Sequence, residues 1–117
     1  MSTPNRIETK FQSLRDTDQC GFIAYITAGD PTLDMTVSLV ATLEKSGVDI
    51  IELGIPFSDP LADGATIQAA SSRAINAGAS VEGVLDVVRK IRTTSEIPIV
   101  LFTYLNPVYI YGFDKFH

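Results

Sequence analysis

Apolar residues recur along this chain with two different periods. Ile7, Phe11 and Leu14 stand four and three residues apart, the single stripe of a short amphipathic helix suited to lie over a larger body as a lid or plug. The run GFIAYITAG, residues 21–29, is β-branched and aromatic without polar alternation, which predicts a parallel strand buried on both faces. Val37, Val40, Ala41 and Glu44 then fall at helical spacing within DPTLDMTVSLVATLEKSG, and Gly47 stands where a left-handed C-terminal cap belongs. VDIIELG, residues 48–54, is a second strand, and IQAASSRAINAG, residues 67–78, a small-residue helix ended by Gly78. SVEGVLDVVRKIRTTS predicts a further helix, with Ser80 as N-cap and Val81, Leu85, Val88 and Ile91 as its stripe. IPIVLFTYL, residues 97–105, is a third strand, and GFDKFH reads as the opening of another helix.

Strand and helix alternate with short connections, the mark of right-handed βαβ crossovers and a parallel sheet in an α/β fold. A closed eightfold barrel takes about 250 residues, and three βα units plus an N-terminal helix in 117 residues keep that pace. The expectation is therefore the N-terminal portion of one (β/α)8 barrel, with residues 1–117 part of a single domain and the remainder outside this chain. A three-stranded parallel sheet alone would leave two edges unpaired and one apolar face bare.

Composition narrows the function. With 45% hydrophobic residues and a mean hydropathy of +0.20, the chain has the apolar fraction of a packed domain. Nine basic against fourteen acidic residues leave a net charge of −5, so there is no basic footprint for nucleic acid or an anionic membrane. One cysteine, Cys20, and one histidine make neither an internal disulfide nor a metal site of the usual His/Cys spacing, and a cytoplasmic setting is expected. No segment reaches the roughly 20 apolar residues of a membrane span. GxGxxG, Walker and HExxH sequences are absent.

The chemistry concentrates in IELGIPFSDPLADG, residues 51–64. Alternation along the second strand puts Ile50, Glu52 and Gly54 on one side and Asp49, Ile51 and Leu53 on the other. Glu52 thus occupies an apolar position near the carboxyl end of a parallel strand, where barrel enzymes place their chemistry. Burial there would raise its pKa toward the range useful for proton transfer. Asp59 and Asp63 lie on the following loop, stiffened by Pro56 and Pro60, where Asp is also a common turn former. An acid on a strand end and another on the adjacent loop can flank one small molecule for general acid and base work. Pattern alone places Tyr104 near the same end, reads Phe22 more readily as core, and gives Gly29, Asp30 and Pro31 no role beyond a turn.

These residues resemble the N-terminal part of the tryptophan synthase alpha subunit, a TIM barrel. The resemblance rests on GDP at 29–31, IELGIPFSDPLADG at 51–64, TIQ at 66–68 and the segment ending in Tyr104 and Asn106, and it covers the whole chain. It implies a lyase that cleaves indole-3-glycerol phosphate by a retro-aldol reaction to indole and glyceraldehyde 3-phosphate, without a cofactor. By the resemblance Glu52 shuttles the proton and Asp63 holds the indole N–H, while Phe22, Ile67, Phe102 and Tyr104 line the indole pocket. Pro56, Ser58, Asp59, Pro60 and Asn106 would face a beta subunit that uses pyridoxal phosphate and receives the indole in an alpha2-beta2 complex.

Ala65 departs from the pattern, which has Pro ahead of TIQ. The phosphate-binding loops of such a barrel lie beyond the strands in this chain, so activity is expected only of the complete barrel. Two rival readings share the pattern: another phosphate-substrate barrel enzyme, and a half-barrel module that only docks a partner.

Overall fold

The computed structural model describes residues 2–117. Its elements are α1 (Arg6–Asp16), β1 (Ile23–Thr27), α2 (Leu33–Lys45), β2 (Ile50–Gly54), α3 (Ala65–Asn76), α4 (Val81–Arg92), β3 (Ile99–Phe102), α5 (Leu105–Tyr111) and α6 (Phe113–Phe116). The strands form one parallel sheet in the order β1-β2-β3, with Tyr25 level with Glu52 and Glu52 level with Val100. Helices cross one side of it, as right-handed crossovers require.

Capping fixes where the helices begin. Asn5 and Glu8 form a reciprocal capping box at α1. Thr32 and Ser80 each accept a backbone N–H at the start of α2 and α4. Gly47 and Gly78 adopt positive φ just past α2 and α3, as expected. Gly29 does so as well, and a Cβ there would lie 2.7 Å from that of Ala79, so the turn after β1 requires glycine twice over.

The core lies between sheet and helices. Ile51 and Leu53 are fully buried there against Val40, Val84, Val87 and Ile91, with Ala24, Ile26, Ile99 and Leu101 packed around them. Burying side chains of this size contributes about 1.5–3 kcal/mol each. Thr36 is also fully buried, because its hydroxyl donates to the Thr32 carbonyl and accepts the Gly29 N–H at 2.9 Å.

Three expectations change and one open alternative is resolved. The strands are shorter than the apolar runs that carry them, and β1 is not buried on both faces: Ile23 is 46% exposed, on the side of the sheet that no helix crosses. The buried stripe of α2 is Thr36 and Val40 rather than Ala41 and Glu44, and that of α4 is Val84, Val87 and Ile91 rather than Leu85. Residue 105, read as strand, begins α5, which the sequence pattern had not indicated; Pro107 sits in its first turn, where a missing N–H costs nothing. Finally α1 is a plug and not a lid. Its Lys10 reaches Asp49 at 3.6 Å, its Arg6 pairs with Glu96, and Leu14 is buried against Gly21. Asp49 and Glu96 precede β2 and β3, so α1 closes the amino ends of the strands.

Candidate active site

The side of the sheet without helices is built from Ile23, Tyr25 and Thr27 on β1, Ile50, Glu52 and Gly54 on β2, and Val100 and Phe102 on β3, since residues in register on parallel strands point the same way. Tyr25 lies across Gly54, where a Cβ would stand 2.1 Å from the phenol oxygen. The ring meets Phe102 edge to face, with centroids 5.8 Å apart. The phenol oxygen is 3.4 Å from the Thr27 hydroxyl. Glu52 stands beside this aromatic pair. It is half-buried, short of the expected burial, because the concave side of three strands stays open and Phe102 is itself 52% exposed.

The loop after β2 carries the second acid. Ile55 and Pro56 are buried, and the chain then turns through hydrogen bonds from the Leu61 N–H to the Asp59 carbonyl and from the Asp63 N–H to the Pro60 carbonyl. The Asp63 carbonyl accepts from the Gln68 side chain at 2.7 Å, which ties the loop to α3. Gly64 caps α3 without a side chain and Ala65 is its first residue, where Pro would also fit. Tyr104, the residue ahead of α5, leans on Phe57 with centroids 5.2 Å apart, and its hydroxyl accepts the Ala62 N–H at 3.0 Å. Ile67 is half-buried in the first turn of α3.

Pairing separates these acids from the rest. Most carboxylates have partners: Asp49 accepts the Phe22 N–H at 2.8 Å, Asp59 the Ser58 hydroxyl at 2.9 Å, and Asp34 and Asp86 are bridged to Lys90 and Arg89. Among the described residues, the side chains of Asp18, Glu52, Asp63, Glu82 and Asp114 have neither a hydrogen bond nor an ion pair, and of these only Glu52 and Asp63 are partly buried. A partly buried carboxylate left free is one that a structural role has not consumed.

Two placements correct the sequence reading. Phe22 does not join Glu52, Phe102 and Tyr104: it precedes β1, is 59% exposed, and its backbone is held by Asp49 at the amino end of the sheet. Tyr25 stands at the strand position level with Glu52, about 10 Å further along at about 3.3 Å per residue. A strand without polar alternation gives no phase from its own sequence, and only pairing with β2 supplies it. Asp30 also does more than turn the chain. Its carboxylate takes both Arg73 donors of α3, at 3.0 and 2.8 Å, and this guanidinium holds the Asp30 carboxyl below the usual range.

Of the residues expected to face a partner, Ser58, Asp59 and Asn106 are exposed and Pro60 is half-buried. Pro56 is buried beneath the loop and presents little surface. A groove of about 630 Å³ beneath α1, lined by Arg6, Lys10, Asp49 and Glu96 among others, lies at the opposite end of the sheet from the two acids. No group of three His, Cys, Asp or Glu side chains that could hold a metal ion occurs among the described residues, and no helix there is long and apolar enough to cross a membrane.

Comparison with known proteins gives one family. The family model described as "Tryptophan synthase alpha chain" matches residues 11–117. Curated tryptophan synthase alpha chains include one from Clostridium kluyveri, 50% identical over 112 residues, which are 96% of this chain and 43% of that protein. Another, from Solibacter usitatus, is 54% identical over 110 residues, 94% of this chain and 41% of that protein. Among solved structures, the alpha subunit from Legionella pneumophila superposes with a TM-score of 0.95 at 46% identity, covering 97% of this chain and 44% of that one. An aminoacrylate-bound tryptophan synthase from Mycobacterium tuberculosis gives 0.87 at 37% identity, covering 97% of this chain and 46% of that one. The chain thus spans less than half the length of the relatives it matches.

Proposed function

Since the chain belongs to the tryptophan synthase alpha chain family, we propose that it supplies the acid-bearing part of a carbon–carbon lyase that cleaves indole-3-glycerol phosphate to indole and glyceraldehyde 3-phosphate. The observation that carries this reading is the pair of unengaged, partly buried carboxylates: Glu52 beside the aromatic surface of Tyr25 and Phe102, and Asp63 on the loop that follows its strand. In this proposal residues 1–117 are the N-terminal part of one barrel domain, and the activity is that of the complete barrel.

The chemistry follows from where charge develops. The bond from indole C3 to the glycerol chain breaks once C3 has gained a proton and the adjacent hydroxyl has lost one. The hydroxyl carbon becomes the aldehyde, and the bonding pair returns to the ring. Glu52, as general base, takes the hydroxyl proton and supports protonation at C3. Asp63 accepts the indole N–H and stabilises the positive charge that reaches the nitrogen when C3 is protonated. A flat apolar ring suits the edge-to-face pair of Tyr25 and Phe102 and the side chain of Ile67. The reaction needs no cofactor from this chain.

Ser58, Asp59 and Asn106, exposed at the carboxyl end of the strands, form the proposed contact with a beta subunit, the partner that would hold pyridoxal phosphate and receive the indole. Indole release from indole-3-glycerol phosphate, followed with Asp63 intact and as Asp63→Asn, tests the assignment. The substitution is expected to lower turnover by about 10²–10⁴-fold. Unchanged release would refute the assignment of Asp63.

A further inference from the structure

We propose that Tyr104 is a positioning residue for Asp63, acting through the main chain of the loop after β2; this rests on the reading of Asp63 as the acid that meets the indole nitrogen. Between Pro56 and Gly64 the loop turns on itself through the Leu61 and Asp63 amides and holds α3 through Gln68. Among the described residues, the one hydrogen bond from these loop residues to the region after β3 is the Ala62 N–H to the Tyr104 hydroxyl, at 3.0 Å and 42 residues away in sequence. The same side chain carries Phe57 on its ring at 5.2 Å. Tyr104 therefore grips the loop at its start and again at the residue next to Asp63.

The geometry separates this role from that of a pocket wall. Ala62 is exposed, so its N–H would find water without Tyr104, and the bond is not needed to satisfy a buried donor. What it does is choose one loop position among those that water would permit. Misplacement of a reacting group by about 1 Å can cost on the order of 10²-fold in rate, so a bond with little effect on folding can have a large effect on turnover. A pocket wall would act through its ring, by substrate affinity. A positioning hydroxyl acts through its oxygen, with the ring unchanged.

Tyr104→Phe keeps the ring on Phe57 and removes only the acceptor. Two measurements on the complete barrel are paired: amide hydrogen exchange at Ala62 without substrate, and kcat and KM for indole-3-glycerol phosphate cleavage. The expected result is exchange at Ala62 faster by about five- to tenfold, the worth of one hydrogen bond, with kcat lowered at least about tenfold and KM within about twofold. Unchanged Ala62 exchange overturns the proposal, and so does a rise in KM at constant kcat. If the complete barrel with Tyr104 unsubstituted releases no indole, the lyase reading fails, while the exchange result still decides whether Tyr104 holds the loop.

Discussion

The two sides of β2 are one residue apart in sequence and opposite in physical state. Ile51 and Leu53 are fully buried under α2 and α4, whereas Glu52, between them, faces an open surface with Val100 37% and Phe102 52% exposed. One side is packed by helices that the chain itself supplies. The other is the concave side that a barrel closes with further strands, and it carries the free acid, the aromatic pair and the glycine over which Tyr25 lies. Ile50 and Gly54, on the same side as Glu52, are buried as well, so what side-chain parity divides is the helix-packed core from the side that presents the unpaired acid.

Substitutions across this divide sharpen the contrast. In stability, the largest expected effect is on the packed side: Leu53→Ala should cost about 2–5 kcal/mol, read from the urea midpoint, because rigid helices cannot collapse into the space left. Gly54→Ala, on the open side, should cost about 1–3 kcal/mol, since the new methyl meets the Tyr25 phenol at 2.1 Å and the ring must swing away. A fluorescence change of Tyr25 would accompany it. Val100→Ala, on the same side but exposed, should stay within about 0.5 kcal/mol. The smallest effect belongs to the rim. Arg73 holds the Asp30 carboxyl below its ordinary value, so this pair adds stability that is complete above about pH 4, the ordinary carboxylate range, and lost as pH falls through the lowered value. Asp30→Asn should therefore flatten the urea midpoint against pH only on the acid side. A midpoint difference from the unsubstituted protein that persists undiminished into acid, where the pair is already lost, would contradict it.

Much of this was legible in the sequence, for reasons that differ by element. VDIIELG alternates, and its polar intruder gave the phase of β2 and hence the side on which Glu52 sits. Ser80, Gly47 and Gly78 announced helix ends through local chemistry that packing did not override. GFIAYITAG has no alternation, so residue type cannot tell which of its aromatics shares the side of Glu52; pattern reads Phe22 as core and the resemblance puts it in the pocket, whereas Tyr25 stands level with Glu52. IPIVLFTYL hid the start of α5 at Leu105, because a continuous apolar run carries no signal of where strand gives way to helix. The Asp30–Arg73 pair spans 43 residues and leaves no trace in either neighbourhood.

Glu52→Gln and Leu53→Ala, compared in indole release and in thermal midpoint, test the division most directly. Glu52→Gln should lose about 10²–10⁴-fold in turnover with its midpoint almost unmoved, because no partner is left behind. Leu53→Ala should lose midpoint and keep turnover at temperatures where it is folded. Full turnover by Glu52→Gln would contradict the account, placing the chemistry elsewhere than on the open side of this sheet.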